Sequence, residues 1–335
     1  MSLHEKEQAN LLRWDGQARG FYEVYYLKFN DPVSQTAAWL RYTLTSPTQG
    51  EAKAELWGIF FDSQDPSRHF AIKESLPASA LRWECNRFAL DLGESNLNQH
   101  GSQGVLEDKS RGHRLAWDLD FDSDSPLFNH FPFDSMYKTK LPRTKVLSPH
   151  LDARFSGTLT ADGRRIELAQ VPGQQTHIWG TQHAKRWAWG HCNTFAEDPK
   201  AVLEALDSQV ALGPLTSPPL KVFYLKAFGR ELRLNSIKDI LFSRSQWNLG
   251  AWTFSLRGGD LRVEGRLEVP SEDMLGVGYQ DPDGTRLWCN NSKLANCHLE
   301  AFDESGRSIG SLHSERAAAV EFVERQIHPE VPIWI

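Results

Sequence analysis

Apolar and polar residues alternate at every second position through much of the chain. Clear examples are the segments 39–44, 115–122, 252–256 and 261–269. Successive side chains of a β-strand point to opposite faces, so this period predicts strands with one buried and one polar face. Turn-forming residues separate such segments, as in Asp162-Gly163 and Asp281-Pro282-Asp283-Gly284. Many short strands with few helices between them predict an antiparallel, all-β sandwich or barrel.

Two short helices are predicted in the second half of the chain. The first begins at Asp198-Pro199, where an N-cap residue and a first-turn proline precede Val202, Leu203 and Leu206. The second begins near Ser314, runs through Ala317–Gln326 and ends before Pro329.

A proline-containing stretch of weak periodicity, residues 141–149, lies near the middle of the chain. The chain has 335 residues, which matches two domains of about 150 residues each. We therefore expect one β domain over residues 1–150 and a second over residues 151–335.

The charge and hydropathy of the chain exclude several classes of partner. There are 37 Lys and Arg against 43 Asp and Glu, a net charge of −6, which disfavours nucleic-acid binding. The longest obvious apolar run, Leu56 to Phe61, is far too short for a membrane-spanning helix, so no integral membrane segment is expected. The first residues are polar and lack the apolar core of a signal peptide, which predicts a cytoplasmic protein.

The common signatures of enzymes with cofactors or metals are missing from the sequence. It contains no phosphate-binding loop, no dinucleotide fingerprint, no nucleophile elbow and no zinc-protease helix, so no cofactor is predicted. None of the four cysteines forms a C-x-x-C pair, and no carboxylate has ligand spacing to His177, His183 and His191. No metal site is therefore predicted. The oligomeric state is left open.

The most informative segment is 173–195, in a chain that holds 12 Trp and 18 Phe. If its second half is a strand, Trp187, Trp189, His191 and Asn193 share one face, opposite small residues. His177 and Trp179 share a face of the preceding strand in the same way. An aromatic wall with a few polar groups is typical of a pocket for an apolar ligand, so we predict a hairpin that lines one. Packing of these rings between two sheets is the alternative.

A second candidate is Glu23, in the segment Phe21-Tyr22-Glu23-Val24-Tyr25-Tyr26-Leu27. A strand would place this carboxyl on the same face as Phe21, Tyr25 and Leu27. Burial among such side chains would raise its pKa and make it a usable acid. A surface position, or pairing with an arginine, is the other interpretation.

These residues together resemble a known family. The stretch from Phe155-Ser156-Gly157 to Trp187-x-Trp189-x-His191-x-Asn193-x-Phe195 resembles the second-domain motif of the tocopherol cyclase-like group. That group sits with the carotenoid hydratases (hydroxyneurosporene synthases) and the AttH-like proteins. Phe21-Tyr22-Glu23-x-x-Tyr26 is similar to its first-domain strands. Members of the group often carry an acidic residue just before the Trp-Gly pair, whereas this chain has Thr176, His177 and Ile178 there.

The resemblance implies two lipocalin-like antiparallel β-barrel or sandwich domains packed together, with a ligand site between or within them. It implies a hydrophobic, isoprenoid- or lipid-like small molecule as ligand and a cofactor-independent, acid-promoted cyclase or hydratase as activity. On this basis we expect Glu23, His177 and His191 to act in acid–base catalysis. Tyr26, Trp179, Trp187, Trp189 and Asn193 are expected to bind the ligand. A non-catalytic lipid carrier and a glycan-binding β-sandwich remain as alternatives.

Overall fold

The computed structural model describes residues 3–335, which form two large antiparallel β-sheets and one small β-hairpin. The first sheet contains twelve strands from the first part of the chain. They are β1 (Phe21–Asp31), β2 (Thr36–Ser46), β3 (Lys53–Asp62), β4 (Phe70–Pro77), β5 (Leu81–Trp83), β6 (Ala89–Leu92), β7 (Ser95–Asn98), β8 (Gly101–Asp108), β9 (His113–Asp122), β10 (Phe128–Asn129), β11 (Thr144–Ala161) and β12 (Arg164–Gly180). Their order is β4-β3-β2-β1-β12-β11-β9-β8-β7-β6-β5, with β10 paired to β11.

The second sheet contains ten strands, and the small hairpin joins two of them. The hairpin strands are β15 (Ala211–Leu212) and β16 (Leu215–Thr216). The sheet consists of β13 (Arg186–Cys192), β14 (Val202–Gln209), β17 (Leu220–Ala227), β18 (Arg230–Leu234), β19 (Arg244–Asn248), β20 (Ala251–Gly258), β21 (Leu261–Glu268), β22 (Leu275–Gln280), β23 (Arg286–Phe302) and β24 (Ser308–Glu324). Their order is β18-β17-β14-β13-β24-β23-β21-β20-β19, with β22 paired to β23.

Helices are short and lie outside the sheets. They are α1 (Leu3–Asn10), α2 (Ser135–Lys138) and α3 (Ile237–Phe242), with single 3₁₀ turns at Pro66–Arg68, Ala78–Ala80 and Ser271–Asp273. Within residues 3–335, none is long and apolar enough to cross a membrane.

Each sheet curls around a hydrophobic core of its own. In the first, Gly58 on β3 faces β8 and β9 so closely that a Cβ atom there would lie 2.7 Å from the Leu115 side chain. In the second, a Cβ at Gly190 on β13 would lie 2.6 Å from Leu267 on β21. Opposite strands of one sheet therefore meet across its interior. The predicted all-β architecture of two lipocalin-like domains packed together is confirmed.

The two curled sheets pack against each other through aromatic side chains. Tyr26, Trp39 and Trp57 project from the first sheet, and Trp189 and Tyr279 meet them from the second. The central strands are consequently covered on both faces, and all eleven residues of β2 are buried. An alternating sequence therefore does not give these strands a solvent-exposed face, and the polar side chains on the outer face of β2, such as Arg41, lie between the sheets.

Both predicted helices are wrong. Val202, Leu203 and Leu206 lie in β14, and the segment from Ser314 to Glu324 lies in β24. Each strand contains a run of consecutive buried residues, 202–205 in β14 and 318–323 in β24, and in these runs the period of two is lost. Such a run cannot be told from a buried helix by its periodicity.

The predicted hairpin of two neighbouring strands is also wrong. β12 pairs with β1 and β11, whereas β13 pairs with β14 and β24 in the other sheet. The chain thus passes between the sheets after Gly180, while residues 150 and 151 lie inside β11. The division into domains at residue 150 stays a prediction.

Candidate functional site

Glu23 and His177 form a buried pair on the inner face of the first sheet. His177 Nε2 lies 2.8 Å from Glu23 Oε1, and both side chains are fully buried. His177 Nδ1 lies 2.7 Å from the carbonyl oxygen of Ala9 in α1. A carbonyl oxygen only accepts, so Nδ1 carries a hydrogen. The bond between Nε2 and Oε1 then requires one more hydrogen, so the pair holds a proton on either the imidazole or the carboxyl group.

The surroundings of this pair are aromatic and firmly hydrogen-bonded. Glu23 also accepts hydrogen bonds from the backbone N–H groups of Arg13 (2.7 Å) and Trp14 (2.9 Å). The rings of Tyr25 and Trp179 lie 4.2 and 4.6 Å from the His177 ring. Burial lowers the pKa of His177, and the hydrogen bond to Glu23 opposes that effect. The predicted burial of Glu23 among aromatic side chains is confirmed.

The other predicted residues lie elsewhere, between the two sheets. Trp189 on β13 meets the ring of Tyr26 edge-on at 5.6 Å and donates its indole N–H to Glu204 at 3.0 Å. Asn193 donates to the carbonyl oxygen of Gly173 at 3.0 Å. The first sheet therefore separates Glu23, His177 and Trp179 from Tyr26, Trp187, Trp189, His191 and Asn193.

His191 is a neutral imidazole in this interface. Its Nε2 lies 2.9 Å from the carbonyl oxygen of Leu151 and donates to it, while Nδ1 is buried without a partner in the described part of the chain. Burial lowers the pKa of His191 well below its ordinary value, and the nearby Lys28 ammonium adds to the effect. The free nitrogen can accept a hydrogen bond but has no proton to give.

A cavity of about 310 Å³ opens between the sheets on the outer side of β1, β2 and β3. Its walls combine aromatic side chains with charged and polar ones, and they include one buried cation. The residues that line it include Tyr22, Arg41, Trp57, His183, Tyr279 and Trp288. Glu23 and His177 are not among the residues that line it. We call this cavity the inter-sheet groove.

His183 is the histidine that lines the inter-sheet groove, and the sequence did not predict a catalytic role for it. It lies in the segment between β12 and β13, and its Nδ1 donates to Asp281 Oδ1 at 2.7 Å. Its ring stacks on Tyr22 with centroids 4.1 Å apart and is parallel to Trp187 at 5.7 Å. Its Nε2 has no hydrogen-bond partner among residues 3–335. Asp281 thus fixes the tautomer and leaves Nε2 available to a ligand.

Sequence signals for this arrangement were present but weak. Asp281 opens the turn Asp281-Pro282-Asp283-Gly284, and His183 follows the end of a strand. Loops held by rigid strands commonly carry functional residues, yet nothing in the sequence places these two loops together. No group of three His, Cys, Asp or Glu side chains in the described residues has the geometry of a metal site.

Arg41 is the second groove residue that the sequence did not reveal. Its guanidinium carbon lies 4.2 Å from the ring centroid of Tyr279 and 5.0 Å from that of Trp57. Its Nε donates to Thr43 Oγ1 at 3.0 Å. The alternation in β2 predicted a solvent-exposed face for Arg41, whereas the second sheet covers it.

Comparison with other proteins identifies relatives across nearly the whole chain. Two uncharacterised proteins of Mycobacterium tuberculosis, from strains CDC 1551 and H37Rv, are each 27% identical to it over 317 residues. The aligned part is 93% of this chain and 90% of each relative.

Two solved structures share the fold. A candidate AttH protein from Nitrosomonas europaea has a TM-score of 0.57 at 11% identity, covering 95% of this chain and 98% of the other. Kievitone hydratase from Nectria haematococca has a TM-score of 0.51 at 9% identity, covering 90% of this chain and 88% of the other. At such identities the likeness concerns the fold.

A family model described as tocopherol cyclase-like matches residues 90–322, which is more than half of the chain and includes strands of both sheets. The predicted resemblance to this group is confirmed, and the chain belongs to the tocopherol cyclase-like family.

Proposed function

We propose that this protein binds a hydrophobic, isoprenoid-like small molecule in the inter-sheet groove and catalyses its ring closure or hydration by proton transfer, without a cofactor. The observation that carries the proposal is the hydrogen bonding and position of His183. Its Nδ1 is committed to Asp281, its Nε2 is free, and its ring lies in an aromatic wall of the groove. The cyclase-like family and the fold shared with kievitone hydratase support this class of reaction.

The proposed reaction needs one acid and no net oxidation. Protonated His183 gives the hydrogen on Nε2 to an alkene carbon of the ligand, which forms a C–H bond and leaves a carbocation on the neighbouring carbon. The rings of Tyr22 and Tyr279, which line the groove beside His183, are suited to stabilise that charge. A hydroxyl group of the same molecule then forms a C–O bond and closes a ring, or water forms it and hydrates the ligand. The proton released from that oxygen returns to His183.

The catalytic and ligand-binding residues that the sequence predicted are not the main proton donor in this proposal. Trp187 does not line the groove, but its ring is parallel to those of His183 and Tyr279, which do, so its proposed role is to support these two rings. The Glu23–His177 pair is a second candidate proton source, and its use requires a ligand in the interior of the first sheet. Acid–base catalysis by His191 and ligand binding by Tyr26, Trp179, Trp189 and Asn193 stay predictions.

The experiment is a product assay with phenols that carry a prenyl or geranyl chain, carried out in deuterated water. Ring closure gives a product isomeric with the substrate apart from one deuterium on carbon, and hydration adds one water. His183→Asn keeps a donor at the Nδ1 position for Asp281 but removes Nε2. We expect turnover to fall by about 100-fold or more, the usual contribution of a general acid.

The matched control is His313→Asn. His313 also donates from Nδ1 to a carboxylate, Glu197 at 2.7 Å, but it lies on the exposed surface of the second sheet. This variant should turn over like the wild type. Ligand binding without product in every arm would overturn the catalytic proposal and favour a lipid carrier. Competition by sugars but not by prenyl phenols would favour a glycan-binding protein.

A further inference from the structure

The walls of the inter-sheet groove carry an excess of positive charge. Arg41, Lys53, Lys73 and Arg286 line it, and Glu55 is the carboxylate that lines it with them. Glu55 is already engaged, since Lys53 Nζ lies 2.8 Å and Lys73 Nζ lies 4.0 Å from its Oε1. Neither arginine forms an ion pair with any residue from 3 to 335. The groove therefore keeps two unpaired guanidinium groups.

Arg41 is the more unusual of the two because it is only 5% exposed. Removing a guanidinium group from water is costly unless it gains a partner. The rings of Trp57 and Tyr279 compensate in part through cation–π contacts. An arginine has five N–H donors, and the bond from Nε to Thr43 satisfies one of them. The four N–H donors on the two Nη atoms have no partner in the described structure.

Donors arranged in a planar fork match the two oxygens of a carboxylate or a phosphate. We infer that the ligand of the inter-sheet groove carries an acidic oxygen group, which binds the Nη atoms of Arg41, on an otherwise hydrophobic body. This inference rests on the proposed function only in placing the ligand in the same groove. It adds the substrate class: an anionic amphiphile rather than a neutral hydrocarbon or alcohol.

The position of Arg41 also orients such a ligand. Arg41 lies against the ring of Tyr279 at 4.2 Å, and the ring of His183 is parallel to the same tyrosine at 6.0 Å. An acidic group held by Arg41 therefore leaves the adjoining part of the molecule next to His183. The anion acts as an anchor, and the reacting carbon lies a few bonds away from it.

A pair of dyes that differ only in one acidic group tests this inference. Anilinonaphthalene sulfonate is the anionic member and phenylnaphthylamine the neutral one, and both fluoresce when bound in an apolar site. We expect the wild type to bind the sulfonate about tenfold more tightly or better, the value of a hydrogen bond to a charged group. In Arg41→Gln this preference should disappear while the affinity for the neutral dye stays the same. Arg41→Lys should restore part of it.

Two further variants make the result specific. Arg165→Gln removes an exposed arginine that pairs with Glu167 outside the groove, and it should change neither affinity. Thr45→Trp narrows the groove and should weaken both dyes. Displacement of the sulfonate dye by dodecanoate, dodecyl phosphate and dodecanol then identifies the acidic group. Dodecanoate and dodecyl phosphate should each displace the dye at a lower concentration than dodecanol does. Whichever of the two acids displaces it at the lower concentration indicates whether the ligand carries a carboxylate or a phosphate.

Equal affinity of the wild type for both dyes would overturn the inference and leave the hydrophobic groove intact. The inference would also fail if Arg41→Gln weakened both dyes alike, because that result indicates lost packing. Absence of binding of either dye to the wild type would count against the groove as a ligand site, and so against the proposed function too. If Arg41→Gln does not fold, Arg41→Lys decides, since this variant keeps the charge but loses the planar fork. Its preference for the sulfonate over the neutral dye should be smaller than that of the wild type, and an unchanged preference would overturn the inference.

Discussion

Glu23 and His177 lie on the adjacent strands β1 and β12, and a single hydrogen bond of 2.8 Å joins Glu23 Oε1 to His177 Nε2 inside the first sheet. Besides sharing a proton with His177, Glu23 accepts hydrogen bonds from three donors: the backbone N–H groups of Arg13 and Trp14 and the hydroxyl of Tyr25. It therefore ties the segment after α1 to the sheet. The pair has a structural role whether or not it supplies a proton to a ligand.

Replacing Glu23 by Gln should destabilise the protein strongly. The amide keeps one accepting oxygen and presents an NH₂ group to donors that need an acceptor, so buried N–H groups are left unpaired. We expect the free energy of unfolding in urea to fall by about 2–4 kcal/mol. Glu167→Gln is the control, since Glu167 is 69% exposed and pairs with an exposed arginine. Its effect should stay within about 0.5 kcal/mol, and a Glu23→Gln variant as mild as this would refute the structural role.

The buried histidines predict a loss of stability in mild acid. Burial lowers the pKa of His191 well below its ordinary value and that of His150 to about 3. The unfolded chain therefore takes up a proton near pH 6.5 that the folded chain does not accept, so stability falls as the pH drops below that value. At pH 5.5 the loss is about 1 kcal/mol for each histidine.

Urea unfolding at pH 7.5 and pH 5.5 measures this effect. His191→Gln keeps a donor for the carbonyl of Leu151 but cannot be protonated. The variant should lose about 1 kcal/mol less than the wild type between the two pH values, and His150→Gln should behave likewise. The same pH dependence in the wild type and both variants would mean that these histidines are accessible to protons in the folded state.

Close packing across the second sheet predicts a sharp response at Gly190. A methyl group there would lie 2.6 Å from Leu267 and 3.2 Å from the ring of Trp252. Gly190→Ala should therefore lower the free energy of unfolding by about 1–3 kcal/mol through overpacking. The double variant Gly190→Ala, Leu267→Val makes room for the methyl group and should recover part of that loss. If the double variant loses as much free energy of unfolding as the two single variants together, the contact with Leu267 is not the cause of the destabilisation.

Much of the fold could be predicted from the sequence because most strands show their period of two. The alternation over 115–122 and 261–269 corresponds to β9 and β21. The errors fall where both faces of a strand are covered, as in β14 and β24, because burial on both sides erases the alternation. The burial of Glu23 could be predicted because the apolar residues on the same face belong to its own strand.

The groove residues could not be predicted in this way. Arg41 is buried because a second sheet covers β2, and His183 meets Asp281 through two loops that are 98 residues apart in the chain. Such contacts depend on how the sheets pack, which no local pattern records. For the same reason the sequence placed His177 and Trp189 on one hairpin, whereas the first sheet lies between them.

The most direct test of the account compares two histidine variants in the turnover of a prenylated phenol in deuterated water. His183→Asn and His177→Asn each remove one Nε2 atom and retain a donor at the Nδ1 position. We predict that His183→Asn loses about 100-fold or more in turnover while it still binds the substrate. His177→Asn should retain turnover for the fraction of protein that is folded. Full turnover in His183→Asn together with its loss in folded His177→Asn would contradict the account and move the proton source to the Glu23–His177 pair.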